Sequence, residues 1–357
     1  MQELIRRYKN YRKQKYLSTQ YHKKYAFVGI GNHSIDNLYP VLHYLKVSLK
    51  YIVTQSAKNA KRVDLSFPHS IGTSDLNRVL NDKEVAGIFI CAHPSAHFDL
   101  VRQSLQAHKH VFVEKPPCAG IEELKQLIQA EQSSRGTCLV GLQKQYAPAY
   151  RQLKKRLSGH YTYHYRYLVG NYPEGDSLID LFIHPLSLCS FLFSPVTAVN
   201  VACSGTRKAK TFFLQTQHAD GAMGSIELST DYSWQCATEE LTVNTNDRVY
   251  KVVNTEELVY YPKAGTFLSI PKEKLRKTEN ATFVVEQRNN FSPILKNNQL
   301  YSSGYFHEIE HFIRLSETGK GNNLSDLASC VNAFSLIDTL RTHSDKPGLA
   351  TYTNLPR

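Results

Sequence analysis

Between Tyr25 and Gly141, short apolar runs alternate with amphipathic stretches at near-regular intervals. Tyr25–Ile30, Leu49–Val53, Val85–Cys91, His110–Val113 and Thr137–Gly141 have the length and β-rich character of strands. Val85–Cys91 is apolar throughout, as expected of a strand covered on both faces. Between them, Ile35–Leu45, Lys58–Val63, Ser74–Leu80, Ser95–Ala107 and Glu122–Gln132 carry helical spacing. Strands alternating with helices predict a parallel, doubly wound sheet with right-handed crossovers.

From Tyr161 the pattern changes to longer Tyr-, Thr- and Val-rich segments. These are Tyr161–Val169, Val196–Cys203, Thr211–His218, Gly224–Ser229 and Leu241–Val243, and they predict a mostly antiparallel sheet. Helices are expected at Leu178–Phe193, Tyr305–Thr318 and Ser325–His343. The fold class is therefore α/β: a Rossmann-type parallel-sheet domain (25–143), then an α+β domain (144–357) built on an open antiparallel sheet. Residues 1–24 precede both as a basic arm.

The chain's 357 residues are 41 % hydrophobic and 21 % charged, which excludes a wholly disordered protein. Of the net charge of +12, seven units come from the arm, where eight Lys and Arg residues face Glu3 alone. Leu4, Ile5, Tyr8 and Tyr11 recur there at helical spacing, so the arm is expected to be one helix laid on the body. A solvated basic face is the plain reading of its charge, and docking to an acidic partner or to a membrane surface the alternative. No nucleic-acid module is legible. Leu178–Val196, the longest apolar stretch, is interrupted by Asp180, His184, Pro185 and Pro195 and is not a membrane span. With no visible secretory signal and seven scattered cysteines, a reduced cytoplasmic location is expected. Glycosylation-type triplets at Asn280, Asn290 and Asn323 are then fortuitous.

Gly29-Ile30-Gly31-Asn32-His33-Ser34 follows a strand and precedes a helix, the context of a dinucleotide fingerprint, with Ser34 where a third glycine is usual. The first glycine permits the tight turn and the second lets main-chain N–H groups approach a pyrophosphate. An NAD site wants a carboxylate about 20 residues later, yet none stands between Asp36 and Asp64. Thr54, Gln55 and Ser56 end the second strand instead, followed by Lys58, Lys61 and Arg62. Hydroxyls and cations suit a 2′-phosphate, so NADP(H) is the preferred cofactor, with NAD(H) the alternative.

Pro94-Ser95-Ala96-His97 follows the apolar strand, and Glu114-Lys115-Pro116 ends the next. Val140–Pro148, the Asp180-x-x-x-His184 pair and the helix Tyr305–Ile313 come after them. In this order the motifs resemble the Gfo/Idh/MocA family of glucose–fructose and inositol dehydrogenase-like oxidoreductases. The resemblance implies hydride transfer to or from a hydroxyl/carbonyl carbon of a sugar-like or cyclitol substrate. It implies Lys115, Asp180 and His184 as catalytic residues, with Lys115 touching both nicotinamide ribose and substrate. Ala92, His93, Pro94, His97 and Glu114 would line the cofactor site, and Gln143 and Tyr146 the substrate site. Residues i and i+4 on one helix share a face, so Asp180 would orient the His184 imidazole. Phe182, Ser187 and Gln145 depart from the family pattern, which points away from a typical free-sugar pocket. An imine reductase acting on a carrier-bound or heterocyclic substrate, or a non-catalytic dinucleotide sensor, are the alternatives. The resemblance also implies a homo-oligomer assembled through the open sheet. His307-Glu308-x-x-His311 has the form of a zinc motif but is read as part of a packing helix, with no metal expected.

Overall fold

The computed structural model describes residues 1–18, 21–206, 208–275, 281–344, 348–349 and 353–354. The triplet asparagine at 280 and the tail expected in the second domain after 354 lie outside them.

The first sheet consists of β1 (Lys24–Val28), β2 (Ser48–Val53), β3 (Ile71–Thr73), β4 (Val85–Ile90), β5 (His110–Glu114) and β6 (Cys138–Gly141). Its order is β3-β2-β1-β4-β5-β6, and every pairing is parallel. Ala26, Phe27, Ile88, Phe89, Val111 and Phe112 are buried, which is why these strands read as continuous apolar runs. Strand order reverses between β1 and β4, the switch point at whose carboxyl ends open α/β sheets bind ligands. The helix after β1 contains a π-helical segment, Ser34–Leu38, before Tyr39–Tyr44. Pro40 explains the wider turn: it has no N–H for the carbonyl four residues earlier, and its ring would crowd that carbonyl.

The second sheet contains β7 (Thr162–Gly170), β8 (Val196–Gly205), β9 (Lys210–His218), β10 (Met223–Tyr232), β11 (Thr238–Asn244), β12 (Arg248–Val253) and β13 (Glu257–Pro262). Its order runs Phe283–Gln287, β13, β12, β11, β7, β10, β9, β8, then Gly348–Leu349. Among the described strands of this second sheet, only β7 and β10 pair in parallel. Along β9, Phe212, Leu214 and Thr216 are buried while Phe213, Gln215 and Gln217 point outward, so one sheet face is open.

Two expectations are corrected. The arm is a helix, Gln2–Leu17, but it does not lay its apolar side on the body: Leu4 and Tyr8 are 71 % and 60 % exposed. The helix expected over Leu178–Phe193 is two helices, Ser177–Asp180 and Ile183–Phe193. Pro185 causes the break. It cannot donate to the carbonyl of Leu181, so it is accommodated in the first turn of the second helix. Asp180 and His184 therefore do not share a helix face. No described helix is long and apolar enough to cross a membrane.

Candidate functional site

The glycine loop sits at the strand-order switch. Gly29 has φ of 109°, and a Cβ there would collide with the carbonyl oxygen of Cys91 on the neighbouring strand end. Only glycine fits both demands. A Cβ on Gly31 would meet nothing within 4 Å, so this part of the loop is an open cradle. Asn32 and His33 are exposed beside it, and Ser34 is fully buried. The Ser34 hydroxyl is engaged within the loop, accepting from Gly31 N at 3.0 Å and donating to Gly31 O at 2.7 Å. It shapes the turn.

At the end of β2, the Thr54 hydroxyl is buried and donates to the Ser56 carbonyl. Ser56 caps the helix Ala57–Ser66, accepting from Asn59 N. Both hydroxyls are occupied locally, whereas Gln55 and Lys58 are exposed and face solvent.

Beyond β4, Ala92, His93 and Pro94 lie on the rim, and His93 Nδ1 contacts the Ser95 hydroxyl at 2.9 Å. His97 differs from the expectation of a cofactor contact. It is 1 % exposed, with Nδ1 2.7 Å from the Pro116 carbonyl and Nε2 3.0 Å from the Ala92 carbonyl. Its ring clips the two strand-end loops together, and burial holds its pKa below the ordinary histidine value.

Lys115 extends from the end of β5 and donates to the main-chain carbonyl of Asp180 at 2.5 Å. Burial lowers its pKa, opposed by the Glu114 and Asp180 carboxylates. Asp180 is 8 % exposed, and burial raises its pKa against the pull of Lys115. His184 is equally buried, and its Nδ1 has no hydrogen-bond partner among the described residues. The carboxylate–imidazole contact expected between Asp180 and His184 is therefore not made. Burial, then the positive charges of Lys115 and Lys144, hold the His184 pKa well below the ordinary value. The imidazole is neutral at pH 7.

Lys144 was not among the expected residues, although it stands in the Val140–Pro148 motif. It is buried, ion-paired to Glu239, with its ammonium 4.7 Å from the Tyr167 ring centre. Glu239 also accepts from Tyr150 at 2.8 Å and Tyr165 at 2.5 Å. Residues 143–146 form a 3-10 turn in which successive side chains diverge by about 120°. Lys144 thus joins the His184 group while Tyr146 leaves it. Tyr146 is 4 % exposed, bonded to the Ser325 hydroxyl at 3.0 Å, with its ring against His311. Its expected substrate contact is replaced by packing. Gln143 stays half-buried near the Tyr305 hydroxyl, and both line a cleft of about 530 Å³ with Asp36, Asn37 and Asn298.

Glu308 lies behind Tyr305, fully buried. Neither carboxyl oxygen has a partner in hydrogen-bond geometry among the described residues, although the Leu142 main chain is near. Burial, reinforced by Glu114, raises its pKa well above the carboxylate range, so it holds a proton. Its motif neighbours diverge: His311 Nε2 meets the Asn322 carbonyl at 3.0 Å, and His307 lies edge-on to Tyr301.

Residues 23–142 match the family model described as "Oxidoreductase family, NAD-binding Rossmann fold". The chain is 22 % identical over 297 residues to scyllo-inositol 2-dehydrogenase (NAD(+)) of Bacillus subtilis, covering 80 % of this chain and 82 % of the relative. A dehydrogenase from Chromobacterium violaceum has the same fold, with TM-score 0.77 and 19 % identity over 90 % of this chain and 95 % of that one. Levoglucosan dehydrogenase in complex with NADH and L-sorbose gives TM-score 0.75 at 16 % identity, over 94 % of this chain and 100 % of its own.

Proposed function

Because the chain belongs to the Gfo/Idh/MocA oxidoreductase family, we propose that it transfers a hydride between NADP(H) and a hydroxyl/carbonyl carbon of a sugar-like or cyclitol substrate. The observation that carries the reading is the Lys115–Asp180 contact, which joins the dinucleotide sheet to the segment bearing His184. The open cradle at Gly31 and the collision that excludes a side chain at Gly29 support a dinucleotide there. When bound, the nicotinamide supplies the hydride donor or acceptor at its C4.

The chain's own residues handle the proton. Neutral His184 takes it from the substrate hydroxyl during oxidation and returns it during reduction. Lys115 polarises the same oxygen, and its lowered pKa makes its proton easier to share. Asp180 supports Lys115 through its main-chain carbonyl and its nearby carboxylate. Lys144, ion-paired to Glu239, places its ammonium where it disfavours a positive charge on His184.

The preference for NADP(H) rests on Gln55 and Lys58, exposed after β2, in a stretch of sequence with no carboxylate between Asp36 and Asp64. NAD(H) is the alternative, in line with the cofactor in the name of the Bacillus subtilis relative. That relative's inositol and the L-sorbose bound to levoglucosan dehydrogenase support the polyol substrate class. The open sheet face, with Phe213 and Met223 50 % and 56 % exposed, supports a homo-oligomer. The exposed basic helix Gln2–Leu17 supports contact with an acidic partner. Fluorescence titration with NADPH and NADH tests the cofactor reading. Tighter NADPH binding is expected, and binding of neither would overturn it.

A further inference from the structure

His33 follows the open glycine cradle and carries a pairing that the sequence motif does not explain. Its Nε2 lies 3.3 Å from Glu114 Oε1. Glu114 is 6 % exposed, and that oxygen has no partner in hydrogen-bond geometry among the described residues. His33 itself is exposed and stands two residues beyond Gly31, so one edge of its ring meets a buried carboxylate while the ring stays open to solvent. Asn37 fixes the ring: its amide donates to His33 Nδ1 at 3.3 Å and to the His33 carbonyl at 3.2 Å. Tyr305 meets the ring edge-on, centres 5.8 Å apart.

This arrangement poses an electrostatic problem. A bare carboxylate beside a site for a dinucleotide's phosphates would repel them. A positively charged imidazole between the two would neutralise the carboxylate and attract the phosphates together. Resting on the dinucleotide reading above, we propose that His33 is an ionic anchor for the phosphates of the bound dinucleotide, charged by a proton taken up on binding and held in place by Glu114. The loop supplies shape and His33 supplies the charge.

The groups that face His33 fit this role. Burial disfavours its charge and Lys115 opposes it, but Glu114 and, more weakly, Asp36 outweigh them and raise its pKa above the ordinary value. His184 lies near enough on the other side to feel its charge. Tyr305 and Asn37 add no charge. An incoming anion moves the balance further toward the imidazolium, so binding and protonation strengthen each other. Protonating Nδ1 requires Asn37 to present its oxygen in place of its amide N–H, which is a local side-chain rotation.

The test is the pH dependence of NADH affinity from pH 6 to 9, measured by fluorescence titration on the full chain. NADH is the principal probe because its diphosphate does not titrate in this range, whereas a phosphate monoester such as the 2′-phosphate of NADPH does so near 6. NADPH is run in parallel from pH 7 upward. Wild-type affinity is expected to fall about tenfold as pH rises, since each unit of linked pKa shift is tenfold in affinity. His33→Asn should flatten the curve and match the wild type's high-pH affinity. Glu114→Gln should move the fall to lower pH, because His33 then lacks its counter-charge. A flat wild-type curve, or equal slopes in wild type and His33→Asn, would overturn the anchor while leaving the dinucleotide site standing. Failure of both dinucleotides to bind at any pH would overturn the functional reading and the anchor with it.

Discussion

The Lys115 ammonium donates to the main-chain carbonyl of Asp180 at 2.5 Å, across the junction between the parallel sheet and the helix that precedes His184. One side chain therefore ties the end of β5 to the segment that bears His184. Lys115→Met keeps the stem and removes the charge. Its turnover should fall about 100-fold, the scale of losing one preorganised electrostatic contact, and dinucleotide affinity should fall as well. Steady-state kinetics with a parallel binding titration checks both. Unchanged affinity would separate Lys115 from the cofactor.

Lys144 and Glu239 form a buried ion pair, with side chains 11 % and 8 % exposed. Glu239→Gln leaves the ammonium without its counter-charge and should cost about 3–5 kcal/mol of folding stability. The double variant Lys144→Met/Glu239→Met should recover only part of that, because an apolar pair avoids the desolvation cost of the charges but leaves the buried Tyr150 and Tyr165 hydroxyls without their acceptor. Urea denaturation of the three proteins reads the difference. Equal stability of wild type and Glu239→Gln would refute the buried pairing.

The pH profile of hydroxyl oxidation follows from His184. Its pKa lies well below 6.5 because the ring is buried and faces Lys115 and Lys144. The base form is lost only as pH falls through that low value, so the rate should hold from pH 8 to below pH 6.5. The Lys144→Met/Glu239→Met variant lacks one opposing charge, and its acid limb should move upward. A wild-type limb at or above 6.5 would mean that another group limits the rate.

Stability carries a separate signature from Glu308. Its folded pKa is raised well above 4.5 by burial and by Glu114. Above pH 4.5 the unfolded chain releases a proton that the folded protein keeps. Stability contributed at this site is thus present at low pH and lost as pH rises toward the folded value. Glu308→Gln keeps the shape without the ionisation and should be more stable than wild type at pH 8, with a shallower slope. Thermal denaturation at several pH values checks the sign.

How much was legible depended on whether local pattern or tertiary contact decided the structure. The parallel sheet was readable because Val85–Ile90 and the Val111–Val113 centre of β5 are buried, apolar runs. The strands β12 and β13 were not read, because β12 buries only Tyr250 and Val252 and β13 only the adjacent Leu258 and Val259, in runs of six residues. Their hairpin turns through Asn254 and Thr255, both at positive φ, where Asn254 was the one available signal. At the site, motif residues Lys115 and His184 were legible. Glu239 lies about a hundred residues beyond Lys144 in the chain, and nothing local links them. The exposed side of the arm illustrates the opposite case: Leu4, Tyr8 and Tyr11 keep helical spacing without packing against the body.

The most direct test of the central claim compares wild type and His184→Ala at saturating NADPH or NADH, over a panel of cyclitols and sugars. The variant should bind the dinucleotide as wild type does and lose about 100-fold to 10,000-fold in turnover, the usual contribution of a positioned proton-transfer group. Turnover within threefold of wild type on the substrate that wild type prefers would contradict the assignment of His184. Absence of wild-type turnover across the panel, with the dinucleotide bound, would contradict the proposed substrate class.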